Sequence, residues 1–237
     1  MKFILDLIFR LRHSKHDIIK SKVGDAKVIL EIGSHLGTDT VKLRESFPEA
    51  TIFCFEPDPR SRSLFSKYHK DLDVFLFPVA ISDESRDNVD FFLAYSKETE
   101  GQAIEKFSWI DKKEVIENKI SNCSSSSLKT GHSALINSEK IKVEVMKLDD
   151  WAMKNRVDNI DLIWMDVQGA EKEVFNGAQN ILNNTRYIWA EYGEKEYDGG
   201  LSWTETRKQL KSSFRTVNFV SVFRKKGDIF LENKREM

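Results

Sequence analysis

Two cysteines in 237 residues are too few for a disulfide framework or a cysteine-built metal site. Cys54 sits inside an apolar run and reads as a buried thiol, while Cys123 lies in a serine run. A reducing compartment is compatible with this usage, and a cytoplasmic location is expected. The formal net charge is −1, so no overall field steers the chain toward nucleic acid or an acidic membrane. No apolar run approaches the roughly 20 residues needed to span a bilayer. The opening MKFILDLIFRLRHSKH has a short apolar core broken by Asp6 and no small-residue cleavage site after it, which argues against a signal peptide. It reads as an amphipathic helix with Ile4, Leu7, Ile8 and Leu11 on one face and Arg10, Arg12 and Lys15 beyond. Such a helix either packs on the domain or meets a membrane surface or partner.

What is present is a globular composition: 40% hydrophobic and 32% charged residues, with sixteen Phe to build a core. Neither an internal repeat nor an interdomain linker is visible. The expected organisation is a helical extension over 1–26 and one domain over 27–237, with a polar insertion at about 96–140. From residue 27, apolar runs alternate with helical spacing. KVILEIG (27–33), TIFCFEP (51–57), VFLFPVAIS (74–82), IKVEVMKL (141–148), IDLIWMDV (160–167) and RYIWAEY (186–192) read as strands, and 88–95 as an extra one. Helices are expected over 38–47, 60–69, 170–182 and 203–212, and a terminal hairpin closes the chain. The insertion, with its SNCSSSS run, is expected to be a lid or insertion over a site, or simply a mobile loop. This alternation implies an α/β fold with a mostly parallel sheet.

The first strand delivers Glu31, then Gly33 and Gly37, and a helix follows. A turn of this kind lets a ligand approach the backbone, with amides of a helix N-terminus aimed at it. The dinucleotide fingerprint G-x-G-x-x-G and the P-loop Gly-Lys-Ser/Thr are both absent, which disfavours a nicotinamide oxidoreductase and an ATP enzyme. The second strand ends in Glu56. An acidic side chain about 20 residues after such a turn is placed to accept hydrogen bonds from ribose hydroxyls. Adenosine without a pyrophosphate is implied.

The stretches EIGSHLGTDT, FEPDP, PVAISD, SSSL, KLDDW and IDLIWMDVQGAEKEVFNGA, in that order from about Lys27 to Tyr192, resemble the FkbM family of S-adenosylmethionine (SAM)-dependent methyltransferases. The most specific piece is MDVQGAE (165–171) followed by Phe175 and Gly177. The resemblance implies a class I, Rossmann-like methyltransferase fold, with a mostly parallel seven-stranded sheet whose last strand is antiparallel. It also implies SAM as cofactor and methyl transfer to oxygen, often on sugars, glycans or secondary metabolites. Carried over, Glu31, Gly33, Ser34 and Gly37 line the methionine and ribose, with His35 and Thr38 of the same turn. Glu56 holds the ribose beside Pro57, and Ala80, Ile81 and Asp83 lie near the adenine. Ser126 and Ser127 match a serine pair near the cofactor or its lid, and Asp166 sits beside the reactive methyl. Two departures bear on the acceptor side: Trp164 stands where the family often has Lys, and the 96–140 insertion is long.

Methyl transfer from a sulfonium needs the acceptor oxygen aligned and its proton accepted. Asp166, at a strand's carboxyl end, is the first choice for proton acceptor, with an N-cap role as the alternative. Glu191 ends the next strand and is the second. Glu171 reads as structural. His35 either touches the acceptor or is a plain loop residue, and His132 is a candidate lid base. Trp189 and Tyr192 either form a sugar platform or pack in the core. No metal-ligand spacing is convincing. Nucleobase acceptors are disfavoured, because Asp166-Val167-Gln168-Gly169 occupies the place where an Asn-Pro-Pro-aromatic turn or a reactive Cys is commonly found. The expected acceptor is a small molecule or glycan hydroxyl; the rival is a non-catalytic SAM-fold module in a glycan-assembly complex.

Overall fold

The apolar runs become strands and the stretches between them become helices. A computed structural model describes residues 14–121, 126–127, 136–193, 200–223 and 226–236. In chain order the elements are α1 (Lys15–Val23), β1 (Val28–Ile32), α2 (Thr38–Ser46), β2 (Thr51–Phe55), α3 (Pro59–Tyr68), β3 (Phe75–Phe77), β4 (Val79–Ser82) and β5 (Arg86–Ala94). Then come α4 (Lys97–Lys106), α5 (Lys112–Glu117), β6 (Ser126–Ser127), β7 (Ile136–Lys147), α6 (Leu148–Asn155) and β8 (Ile160–Met165). The chain ends with α7 (Glu171–Asn176), β9 (Thr185–Gly193), α8 (Trp203–Leu210), β10 (Phe214–Phe223) and β11 (Lys226–Asn233).

Seven strands form the main sheet in the order β10-β11-β9-β8-β1-β2-β3. The five from β9 to β3 are parallel neighbours, and β11 runs antiparallel between β9 and β10. This is the sheet expected from the sequence. Alternate side chains serve two cores, which is why the central strands are apolar on both faces. Leu30, Ile32, Ile163, Met165 and Ile188 join Trp151 and Phe175 on one side. Ile29, Ile52, Leu162, Trp164 and Trp189 join Ile19, Leu43 and Phe65 on the other. On the first side Trp151 meets Phe53, Phe55 and Phe77 edge-on, with centroids 5.0, 4.9 and 5.4 Å away. Truncating such a side chain costs about 3–5 kcal/mol.

Three expectations change. The third strand is two strands: β3 stays in the main sheet, whereas β4 pairs with β7 in a second sheet of order β4-β7-β5-β6. Pro78 stands at the break, and a residue without an N–H cannot continue a ladder. The helix expected over 170–182 ends at Asn176. Gly177 marks the stop, because a β-carbon there would lie 2.0 Å from the carbonyl oxygen of Ser82, so the chain passes too close to β4 for a side chain. A 3-10 turn follows at Ile181–Asn184.

The first half of the polar insertion is folded over the turn that follows β1 rather than left as an open loop. Its helices α4 and α5 bury Ala103, Phe107, Ile110 and Val115 against Leu36 and Leu64. Helix α1 begins at a capping box between Ser14 and Asp17 and packs on the domain through Ile18, Ile19 and Val23. The amphipathic helix expected at the start of the chain, with its apolar face at residues 4–11, lies outside the described residues, as do Cys123 and His132. Cys54 is a buried free thiol.

Candidate active site

The carboxyl ends of β1, β2 and β8 converge on one crevice, the usual place for a ligand in an open α/β sheet. Gly33 leaves β1 at φ +93° and lies against the Asp166 backbone, where Asp166 N–H donates to the Ile32 carbonyl at 3.0 Å. Gly33 N–H and Ser34 N–H both donate to the Phe55 carbonyl, at 3.0 and 3.1 Å, which ties the turn to β2. The chain then passes through His35 at φ +49° and Gly37 at φ +84° into α2. A β-carbon on Gly37 would lie 2.7 Å from the Phe65 ring.

Two adjacent cavities flank this turn. The first is lined by Glu56, Pro57, Ala80, Ile81, Phe91 and Val167 among others. The second is lined by Lys15, Glu31, Ser34, Thr38, Asp39 and Phe107 among others. Gly33, His35 and Asp166 border both. One elongated ligand can therefore run from Glu56, past Gly33, to Glu31.

Glu56 is placed by two backbone donors. His35 N–H meets one carboxylate oxygen at 2.8 Å and Asp58 N–H the other at 2.8 Å. Each oxygen keeps a second lone pair for a hydroxyl donor. Burial, reinforced by the charge of Asp58, pushes the Glu56 carboxyl up to about 8. Glu31 is 1% exposed, and burial raises it to about 8 as well, although its hydrogen bond from the Thr40 hydroxyl pulls the other way. Burial lowers His35 to about 4, so its imidazole is neutral at pH 7. Among the described residues, the buried Ser34 Oγ and His35 Nε2 find no hydrogen-bond partner.

At the mouth, the Gln168 amide, on a backbone at φ +53°, donates to Asp166 Oδ1 and reaches Glu191 Oε2 at 3.4 Å. The two expected acid–base candidates thus share one side chain. Asp166 does not cap the following helix, whose N-cap is Ala170. Glu171 is 4% exposed, accepts from Gly169 N–H at 3.1 Å and is pushed up to about 7 by burial. That is a bond within the turn, consistent with a structural role.

The remaining expected residues divide. Ala80 and Ile81 line the cavity beside Glu56, but Asp83 is exposed beyond the end of β4 and hydrogen-bonds Ser82 at 3.3 Å. Ser126 and Ser127 pair with Leu93 and Phe92 of β5, next to Phe91. Trp189 and Tyr192 are 1% and 2% exposed and belong to the cores. Trp164 is buried too, stacked between His16 (4.6 Å) and Trp189 (5.7 Å). Sequence reading missed Phe91, Lys15 and Gln168 as site residues. Phe91 belongs to the second sheet, whose pairing with β4 was invisible; Lys15 precedes the motif region. Among the described residues, no group of three or more His, Cys, Asp or Glu side chains could hold a metal ion.

The residues present fit SAM. A glycine turn admits close backbone approach, buried Glu56 offers acceptors to a ribose, an apolar wall of Ala80, Ile81 and Phe91 suits adenine, and the polar second cavity suits an amino-acid end. The fold and this crevice define a SAM-dependent methyltransferase. The FkbM methyltransferase domain matches residues 31–220, and the chain belongs to that family. It is 35% identical over 210 residues, covering 88% of this chain and 80% of the other, to 2-O-methyltransferase NoeI of Sinorhizobium fredii (strain NBRC 101917 / NGR234). Among solved structures, TehB from Haemophilus influenzae is similar at a TM-score of 0.50 and 8% identity, covering 94% of this chain and 62% of that one. N-methyltransferase NodS from Bradyrhizobium japonicum WM9 is similar at 0.49 and 11%, covering 94% and 95%. The enzyme is a methyltransferase that uses SAM as methyl donor.

Proposed function

We propose that the acceptor is a hydroxyl of a carbohydrate, glycan or related metabolite and that Asp166 takes its proton. The observation that supports the assignment of Asp166 is that it lines both cavities and is bridged through Gln168 to Glu191. SAM, when bound, supplies a methyl already activated by positive sulfur. The protein's own work is to orient the acceptor oxygen and accept its proton. The Gln168 amide donates to Asp166 Oδ1 and so orients the carboxylate. Glu191 lies across the same amide, 3.4 Å from its nitrogen. Glu56, fixed by the His35 and Asp58 amides, binds the ribose, and Phe91 with Ile81 covers the adenine.

The carbohydrate acceptor is supported by the relative's 2-O-methyltransferase activity and by the net charge of −1, which gives no general attraction to nucleic acid. Among the described residues no helix is long and apolar enough to cross a membrane. We place the enzyme in the cytoplasm on the expectation drawn from its cysteine usage. The test is release of S-adenosylhomocysteine across an acceptor panel. Release with oligosaccharides and none with transfer RNA, DNA or peptides is expected; release with nucleic acid alone overturns the assignment.

A further inference from the structure

The family match begins at residue 31, yet helix α1, which precedes it, walls the second cavity. Lys15, in the first turn of that helix, lines this cavity together with Glu31, Gly33, Ser34 and Asp166. Its ammonium is held from two sides. Asp39 Oδ2 accepts from it at 3.1 Å, and the Trp164 ring lies beneath it with the centroid 4.3 Å away. The next residue, His16, stacks on the same indole at 4.6 Å and comes within 3.4 Å of the other Asp39 oxygen. The turn carrying Lys15 is further fixed by the Ser14–Asp17 capping box and by Ile18 and Ile19 in the core. An ammonium has three N–H donors, and Asp39 takes one. A cation over an aromatic face keeps its charge while losing part of its water, which suits it to an anionic partner.

A molecule whose ribose lies at Glu56 and whose chain passes Gly33 brings its amino-acid end into this second cavity. That end carries one carboxylate. Asp39 and Asp166 are also there, so the cavity already has negative groups for the amino-acid ammonium but needs a cation for the carboxylate. Lys42 and Lys106 line the cavity too, but from exposed positions. Lys106 lies over the Phe107 ring at 5.2 Å, whereas Lys15 is braced by both the Asp39 carboxylate and the buried Trp164 ring. We propose that Lys15 is the residue that binds the methionine carboxylate of the cofactor, so that the helix preceding the family domain completes the cofactor site. The inference rests on the SAM site described above and adds to it a residue that lies outside the family region.

The test pairs a variant with a ligand lacking the group. Calorimetric titration measures the Kd of SAM and of decarboxylated SAM for the wild type, Lys15→Met and Lys15→Arg, each checked for folding by its melting temperature. A charge-assisted bond of this kind is worth about tenfold to a hundredfold in affinity. The wild type is expected to prefer SAM over the decarboxylated ligand by that factor. Lys15→Met should lose the preference by weakening SAM alone, and Lys15→Arg should recover most of it. Unchanged SAM affinity in a folded Lys15→Met overturns the proposal. So does an equal loss for both ligands, which marks Lys15 as merely structural. Failure of the wild type to bind either ligand would instead overturn the cofactor site itself, a result distinct from the other two.

Discussion

A β-carbon placed on Gly33 would lie 1.9 Å from the carbonyl oxygen of Asp166. The ends of β1 and β8 are therefore pressed together, and the residue that opens the cofactor turn touches the backbone of the proposed proton acceptor. Gly33→Ala adds a carbon where none fits, at φ +93°. The expected cost is about 3 kcal/mol or more, from overpacking and the left-handed backbone together. A chemical melt should show that loss, and SAM titration should show no binding. A stable Gly33→Ala variant with wild-type affinity contradicts the contact.

Much of this was legible before any coordinates. Glu31, Gly33 and Glu56 sit at strand ends fixed by periodicity and glycine, and they line the two cavities, whereas Gly37 faces Phe65 and His69 instead. Asp166 followed from the same rule. Phe91 did not, because its position depends on which strand leaves the main sheet. Pro78 marks that break, but a proline inside an apolar run does not say where the second half goes. The helix after Ala170 was read too long because Gly177 is tolerated in helical patterns, and only the nearby Ser82 carbonyl makes it a stop. Asp83 follows its motif in sequence but points past the strand end, since side chains alternate and the strand stops at Ser82. The insertion looked like a loop because its buried face is small, drawing on Ala103, Phe107, Ile110 and Val115 among many charges.

Asp166→Asn keeps the shape of the side chain but removes its capacity to take a proton. Turnover is expected to fall about 10²- to 10⁴-fold, with SAM affinity changed by less than about tenfold. Glu191→Gln should cost less, since Glu191 lies on the far side of the Gln168 amide, 3.4 Å from its nitrogen. Steady-state kinetics with a responsive acceptor measures both. A larger loss for Glu191→Gln would reverse the two roles.

Buried carboxyls should make the ligand-free protein less stable as pH rises. Glu31 and Glu56 are each raised from 4.5 to about 8, so the folded state holds protons that the unfolded state has released. Such groups stabilise fully below pH 4.5, and the contribution is lost as pH climbs toward 8. His35, lowered from 6.5 to about 4, acts the other way, losing stability as pH falls through that interval. From pH 7 to 8 His35 is neutral when folded and mostly neutral when unfolded, so the carboxyls dominate the slope. Melting temperature should decline across pH 7 to 8, and Glu31→Gln should flatten the decline. An unchanged slope in that variant would contradict the burial of a protonated Glu31.

Phe91 lines the adenine end of the first cavity and is 3% exposed. Phe91→Leu keeps an apolar residue there and removes the ring. Loss of an aromatic contact worth about 0.5–1.5 kcal/mol corresponds to a two- to tenfold rise in the Kd for SAM. Titration of the variant with SAM and with adenosine should show the same factor for both. Unchanged affinity for both ligands would remove Phe91 from the adenine site.

The most direct measurement follows the methyl itself. Enzyme, SAM carrying an isotope-labelled methyl, and an oligosaccharide pool are incubated together, and the products are resolved by mass spectrometry and NMR. The label is predicted on an oxygen attached to a sugar ring carbon, with S-adenosylhomocysteine released in equal amount. Label found on nitrogen or carbon, or donor consumed with no labelled sugar while another class of molecule takes up the methyl, would contradict the account.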